Sequence, residues 1–232
     1  MKSGLASFDR GYFPEPSLAG EDGLLAAGGT LDTEVLLEAY SRGIFPWFSE
    51  GSPVLWWSPD PRMILYPENL KVSKSLSQTI RKNEFEIRLD TAFPKVIQHC
   101  ASQSRPEQEG TWITEEMVDA YTRLHEEGYA HSFESWKEGR LVGGLYGVSL
   151  GKAFFGESMF HLERDASKVA FYYMVEFART HNFDFIDAQQ TTEHLRSLGA
   201  SGVSRKEFLD QLQKTIQNET LRGKWAFKGP GH

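Results

Sequence analysis

Ala130-His-Ser-Phe-Glu-Ser-Trp-Lys137, then Glu138-Gly139, then Arg140-Leu-Val-Gly-Gly-Leu-Tyr-Gly-Val-Ser-Leu150 and Gly151-Lys-Ala-Phe-Phe-Gly156 form the stretch that decides the fold. Residues 130–137 predict a strand, Glu138-Gly139 a tight turn, and 141–148 its antiparallel partner. Leu150-Gly151 permits a second turn into a short strand over 152–156. Downstream, Ala170, Tyr173, Met174, Phe177 and Ala178 recur at helical spacing from about Ala166, and that helix feeds a strand over 183–188. Upstream, 63–66 reads as a strand, and Ser73 caps a helix through Asn83. Phe85, Ile87 and Leu89 alternate with charged residues as in a half-buried strand, and a helix follows over 93–101. Thr114 caps a helix with Met117, Ala120, Tyr121 and Leu124 on one face, stopped by Gly128. Ser204 and Glu207 make a capping box for a last helix striped by Phe208, Leu209, Leu212 and Ile216. Helix, helix, three antiparallel strands, helix, strand is the order of an α/β (α+β) domain of the N-acetyltransferase-like kind, a mixed sheet with flanking helices.

The first sixty residues differ in texture. Asp32 caps a short helix carrying Val35, Leu36, Ala39 and Tyr40, and turns and aromatics dominate up to Trp56-Trp57-Ser-Pro-Asp-Pro-Arg62. A small aromatic-rich N-terminal domain over 1–62, docked on a larger catalytic domain over 63–232, is expected. Apolar residues make up 40% and charged residues 25% of the 232, which excludes disordered and collagen-like chains. Cys100 is the only cysteine, so a disulfide framework and a zinc site of several thiolates are excluded, and a reducing compartment fits. No apolar run suggests a signal peptide or a membrane span, and the expectation is a cytoplasmic protein without membrane contact. The net charge of −7 argues against non-specific coating of nucleic acid, but leaves room for a local basic patch.

Several motifs mislead. There is no GxGxxG, and Gly151-Lys152 lacks the rest of a phosphate loop. Gly147-Val-Ser149-Leu-Gly151 matches GxSxG, but a strand follows where the hydrolase elbow needs a helix, so Ser149 reads as a hairpin serine. The junction 160–167 has no glycine to cradle a coenzyme pyrophosphate, and two acids would face it. The seven histidines lie far apart, and no metal site is expected.

The candidate chemistry sits elsewhere. Asp187 and Gln189 end the last apolar strand and share a face by period two, so the carboxylate can orient the amide, or merely cap a loop. Glu157 is a second candidate, with pairing to Lys152 or Lys168 as its plain alternative. Trp47, Trp56, Trp57 and Trp112 either line a pocket or fill core. Gly143-Gly144 permits close approach of a ligand or marks a bulge. Lys71, Lys74, Arg81 and Lys82 lie in a segment where 71–88 hold five basic and two acidic side chains, either a solvated face or a strip for nucleic-acid phosphates. Arg205, Lys206, Lys214, Arg222, Lys224 and Lys228 form a weaker basic region.

Gly43-Ile-Phe-Pro-Trp-Phe48, Trp56–Arg62, Thr111-Trp-Ile113, Gly143-Gly-Leu-Tyr-Gly147, Gly156-Glu-Ser-Met-Phe160, Ala166-Ser-Lys168, Phe185-Ile-Asp-Ala-Gln189 and Ser197-Leu-Gly-Ala200 stand in one order along nearly the whole chain. In these segments the chain resembles the bacterial leucyl/phenylalanyl-tRNA–protein transferases. The resemblance implies transfer of Leu or Phe, less readily Met, from aminoacyl-tRNA to the N-terminal amine of a protein beginning with Arg or Lys, which marks that protein for degradation. It implies no cofactor and no covalent intermediate; the acyl donor is an RNA ester, which accounts for the missing pyrophosphate loop. By resemblance Asp187 orients Gln189, whose carbonyl engages the amine, and Glu157 binds the ammonium or the ester-bearing end. Trp47, Trp112, Leu145, Ser158, Phe171, Met174 and Ile186 would wall the apolar pocket, and Lys71, Lys74, Arg81 and Lys82 would hold acceptor-stem phosphates. Ala188 stands where relatives usually carry Cys, which argues against thiol catalysis. Met174 and Ala178 stand where relatives often carry Phe, which leaves the preference between Phe and Leu open. A monomer is expected, and an acyl-CoA-dependent N-acetyltransferase or a non-catalytic tRNA-binding module are the alternatives.

Overall fold

Three successive strands joined by tight turns build the spine of the molecule, and every other element is placed by packing on it. The computed structural model describes residues 6–7, 13–103 and 113–227. Its elements in chain order are β1 (Ala6–Ser7), β2 (Leu24–Ala27), α1 (Thr33–Ser41), β3 (Phe45–Pro46), β4 (Leu55–Trp57), β5 (Arg62–Leu65), α2 (Lys74–Lys82), β6 (Glu86–Leu89), α3 (Phe93–Ala101), α4 (Glu115–Glu126), β7 (Ala130–Lys137), β8 (Arg140–Leu150), β9 (Ala153–His161), α5 (Ala166–Thr180), β10 (Phe185–Gln189), α6 (Glu193–Ser197), β11 (Ser201–Val203) and α7 (Arg205–Thr215). Three of the four caps read from sequence are made: the hydroxyls of Ser73, Thr114 and Ser204 accept from the main-chain N–H groups of Leu76, Met117 and Glu207 at 3.2, 3.3 and 3.2 Å, whereas Asp32 precedes α1 without a side-chain cap and accepts from the Thr30 hydroxyl instead.

The main sheet has seven strands in the order β11-β5-β10-β9-β8-β7-β6. All its pairings are antiparallel except β9 with β10, so the sheet is mixed, as the element order implies. Side chains alternate across it. Leu145 and Phe154 pack with α5 on one face, while Tyr146 and Phe155 join Phe93, Val96 and Tyr121 of α3 and α4 on the other. A four-stranded sheet in the order β1-β2-β4-β3 lies wholly before Ser58. It has no separate core. Phe13, Tyr40, Phe45 and Trp56 belong to the apolar cluster that also holds α3, α4, Phe208 and Leu212.

Several boundaries differ from the sequence expectation. The strand expected to stop at Gly156 continues to His161, because β8 is long enough to pair with it throughout. The segments α6 and β11 carry no clear periodic signal; β11 is held as an edge by pairing with β5. Gly143 lets α5 approach the sheet closely, and Gly144 lets the main chain of β7 do so. A Cβ on Gly143 would lie 2.5 Å from that of Ala166, and one on Gly144 would lie 2.8 Å from the Phe133 carbonyl oxygen. Ser149 is buried within β8 and precedes a turn and another strand, so no nucleophile elbow exists there.

Candidate active site

Two bulges on neighbouring strands aim the polar groups of the site. In the β8–β9 ladder Tyr146 faces Ser158 and Gly147 faces Gly156, which leaves Glu157 as the extra residue. In the β5–β10 ladder Asp187 faces Ile64 and Gln189 faces Met63, which leaves Ala188 extra and puts Gln189 at φ 62°. Bulges re-aim side chains. Here they bring Glu157 and Gln189 together: the Gln189 Nε2 donates to Glu157 Oε1 at 2.8 Å. Tyr40 of α1 donates to the same oxygen at 2.7 Å, Tyr121 of α4 donates to Oε2 at 3.1 Å, and the two phenol oxygens touch each other. Burial, with the nearby charge of Asp187, pushes the Glu157 carboxyl up to about 7 despite these three donors. Burial and the charge of Glu157 raise both phenols well above their ordinary range, so they stay protonated. Lys152 and Lys168 are engaged elsewhere, with the His181 carbonyl and Asp165, and do not pair with Glu157.

The bulge also corrects the expected relation between Asp187 and Gln189, because it breaks the period-two register. Asp187 is wholly buried and does not hold the Gln189 side-chain amide. Its Oδ1 accepts the main-chain N–H of Gln189 at 2.9 Å and Arg62 Nε at 2.9 Å, and its Oδ2 accepts Arg62 Nη2 at 2.7 Å. The guanidinium lies between the rings of Phe45 and Phe208, 4.8 and 4.6 Å from their centroids. Asp187 therefore fixes the strained backbone of Gln189, and Glu157 orients its amide. Arg62 was the last residue of the Trp56–Arg62 motif and carried no assigned role. Its place ahead of an all-apolar strand is the one signal that it would be buried and need a carboxylate. In the sequence Tyr40 and Tyr121 are members of apolar helix stripes. The available hint was that a buried tyrosine usually seeks a partner for its hydroxyl.

A cavity of about 620 Å³ opens at this point. Trp47, Leu145, Ser158, Phe171, Met174 and Ile186, all singled out from sequence, line it together with Glu157, Asp187 and Gln189. Phe154, Met159 and Leu195 add apolar surface that the sequence did not suggest. Trp112 lies outside the described residues. Trp56 is core, donating its indole N–H to the Gly28 carbonyl, and Trp57 buttresses Trp47 by donating to its carbonyl at 2.6 Å. The volume is in the usual range for small-molecule sites.

Lys71, Lys74, Arg81 and Lys82 are exposed on or beside α2, as the sequence pattern implies. That helix borders the cavity rim through a chain of side chains: Thr79 donates to Asp165 at 3.4 Å, and Lys168, which lines the cavity, donates to Asp165 at 3.2 Å. Lys82 pairs with Glu84 at 3.5 Å, and in the second basic region Arg205 and Arg222 donate to main-chain carbonyls of Pro16 and Glu127 while Lys206 pairs with Asp210. Lys228 lies outside the described residues. No helix among the described residues is long and apolar enough to cross a membrane.

Comparison with known proteins places this chain in a family. Residues 64–213 match the family described as leucyl/phenylalanyl-tRNA protein transferase, and residues 29–60 match its N-terminal domain. The chain is 56% identical to the leucyl/phenylalanyl-tRNA–protein transferase of Desulfatibacillum aliphaticivorans, with 93% of each chain covered. It is 54% identical to that of Legionella pneumophila (strain Corby), over 95% of this chain and 99% of the relative. A solved aminoglycoside acetyltransferase from a soil metagenomic sample is a distant structural likeness, at TM-score 0.34 and 14% identity over 63% of this chain and 98% of the other. The chain belongs to the leucyl/phenylalanyl-tRNA–protein transferase family.

Proposed function

We propose that this chain transfers Leu or Phe, and less readily Met, from aminoacyl-tRNA to the N-terminal amine of proteins beginning with Arg or Lys, in the cytoplasm, and so marks them for degradation. One observation carries the reading: six apolar-wall candidates and the Glu157–Gln189 pair, far apart in sequence, converge on one cavity. In the reaction the amine nitrogen attacks the ester carbonyl, a C–N bond forms, and the C–O bond to the ribose breaks. The amine loses a proton and the ribose oxygen gains one. Gln189 commits its amide N–H to Glu157, which leaves its carbonyl oxygen to accept from the incoming amine. An amide is too weak a base to keep the proton. Glu157, poised near 7, can take it and return it to the leaving oxygen. Asp187, in the cavity lining, and Arg62 behind it act as positioning residues.

The donor side chain would lie against Phe171, Met174 and Ile186, with Trp47 at the rim and Trp112 as a further wall residue. One methylene in such a pocket is worth about 1–3 kcal/mol, so discrimination between Leu and Met is modest. The exposed strip of Lys71, Lys74, Arg81 and Lys82 would track the acceptor stem from the rim outward. The working unit is a monomer, and a division near residue 62 fits the two sheets.

Labelled Phe-tRNA with a peptide beginning in Arg tests the proposal. Label should join the peptide, and ribonuclease pretreatment of the donor should abolish transfer. Transfer from acetyl-CoA with none from Phe-tRNA would instead indicate an N-acetyltransferase. Equal binding of charged and uncharged tRNA without turnover would indicate a binding module.

A further inference from the structure

The cleft between α5 and the main sheet has two occupied ends. At one end Phe171 and Met174 of α5 and Phe154 of β9 line the cavity. About one helical turn beyond Met174, Phe177 meets Trp225 instead: the two rings stack with centroids 4.5 Å apart and planes 23° apart. The same indole stacks on His131 of β7, at 3.6 Å and 6°. It also touches Phe154 and Phe133, with centroids 6.1 and 6.0 Å away. Trp225 is buried and does not line the cavity, so Phe154 stands as the partition between the two. The segment that carries Trp225 follows α7 and has no helix or strand of its own. Polar bonds fix its depth. The Trp225 main-chain N–H donates to Asp90 Oδ2 at 2.7 Å, its indole N–H to the Leu221 carbonyl at 3.0 Å, and Arg222 Nη2 to the Glu127 carbonyl at 2.7 Å. Asp90 is buried in turn, accepting from His131 Nδ1 and from the Ser132 main-chain N–H, both at 2.8 Å.

We infer that Trp225 is a positioning residue that sets donor specificity: from behind Phe154 it fixes the depth of the apolar pocket, and the C-terminal segment thereby limits how large an aminoacyl side chain is transferred. This rests on the transfer reaction proposed above. Interiors are close-packed, so a ring that lines a cavity can move back only where the layer behind it yields. Of the ring neighbours of Phe154, Phe133 is held in a strand paired on both sides, between β6 and β8. Trp225 belongs to a segment that no ladder holds, so the indole can be made smaller without breaking the sheet. Its second contact works in the same direction. Phe177 rides on the helix that carries Phe171 and Met174, and the indole keeps that helix at a set distance from β7. A smaller residue at 225 lets Phe154 retreat and deepens the pocket, while the Glu157–Gln189 pair, which Trp225 does not touch, stays as it is.

The test compares the whole protein with its Trp225→Ala and Trp225→Phe variants, using tRNA charged with Leu, with Phe or with the larger naphthylalanine, and an acceptor peptide beginning in Arg. The readout is the ratio of kcat/KM for the naphthylalanyl donor to that for the leucyl donor. One methylene of room is worth about tenfold or more, so the ratio should rise about tenfold in Trp225→Ala and about threefold in Trp225→Phe. The KM for the peptide should not move. A loss of turnover shared equally by all three donors, with the ratio unchanged, is what a merely structural residue gives, and it overturns the inference. A falling ratio overturns it too, because the cleft then closes instead of deepening. If Trp225→Ala does not fold, Trp225→Phe, which keeps an aromatic ring at this position, decides on the same ratio. Failure of the parent to transfer Phe would remove the transfer reaction itself, and this inference with it.

Discussion

Among the described residues Glu157 has three hydrogen-bond donors and no counter-ion, and proton counting explains how it tolerates burial. Three oxygen–oxygen contacts link Glu157, Tyr40 and Tyr121, but the phenols bring only two protons. When the carboxyl binds a proton it supplies the third, donating to one phenol instead of accepting from it while that phenol turns to the other, in keeping with a carboxyl pushed up to about 7. Two outcomes follow for Glu157→Gln, which imitates the protonated form. Turnover at saturating substrates should fall by about 10²–10⁴ and lose an inflection near pH 7 that the parent shows, as read from kcat against pH; an unchanged inflection would remove Glu157 from proton transfer. Stability behaves oppositely. The folded pKa lies above the ordinary carboxylate range, so the stabilisation by proton binding is complete below about 4.5 and lost as pH rises through about 7. Urea unfolding should therefore show the variant gaining about 3 kcal/mol on the parent between pH 5 and pH 8. The Arg62–Asp187 pair makes a different prediction. Asp187→Asn leaves a buried guanidinium without its counter-charge and should cost about 3–5 kcal/mol, and adding Arg62→Met should cost much less than the sum of the two singles in a urea double-mutant cycle. The motifs made Glu157 and Gln189 legible in the sequence. Tyr40, Tyr121 and Arg62 were not, because their roles depend on contacts between residues 36 to 125 positions apart.

Strands and helices hold the site through irregularity as much as through pattern. Hydrophobic periodicity located α2, α3, α4, α5 and α7, and the tight turn placed the β7–β8 hairpin, because those elements bury one regular face. The two bulges were not legible, since an inserted residue changes nothing in local composition; the period-two reading of 187 and 189 failed there for that reason. Strand β9 was cut short because Gly156 and Glu157 resemble a strand end in sequence, while in space β8 still pairs with them. The close approach of α5 to β8 gives a test at this scale. A methyl group on Gly143 would meet the Ala166 backbone carbon at 2.8 Å, and that backbone can yield only if the helix moves. Gly143→Ala should destabilise the fold by about 1–3 kcal/mol in urea unfolding. It should also raise the donor KM, since Phe171 and Met174 ride on the displaced helix.

At the scale of the molecule, a shared core makes the small sheet a wall of the site rather than an appendage: Trp47 lines the cavity and Tyr40 reaches Glu157 from that part of the chain. The fold class followed from element order alone. The cavity did not, because it is the gap left where β9 and β10 part. Lys71, Lys74, Arg81 and Lys82 form an exposed basic strip in a protein of net charge −7. Replacing Lys71, Lys74, Arg81 and Lys82 by Gln, all exposed, should leave the unfolding midpoint unchanged and flatten the dependence of log Kd for tRNA on log salt by about 0.9 per lost phosphate contact; an unaltered slope takes the strip out of the interface. The most direct measurement for the account as a whole is a crystal structure with a 3′-phenylalanylamino-adenosine, whose amide cannot be cleaved as the ester is. The account predicts the phenyl ring among Phe171, Met174 and Ile186, with the carbonyl carbon beside the Gln189 amide. An adenosine bound outside this cavity, or a carbonyl turned away from Gln189 and Glu157, would contradict it.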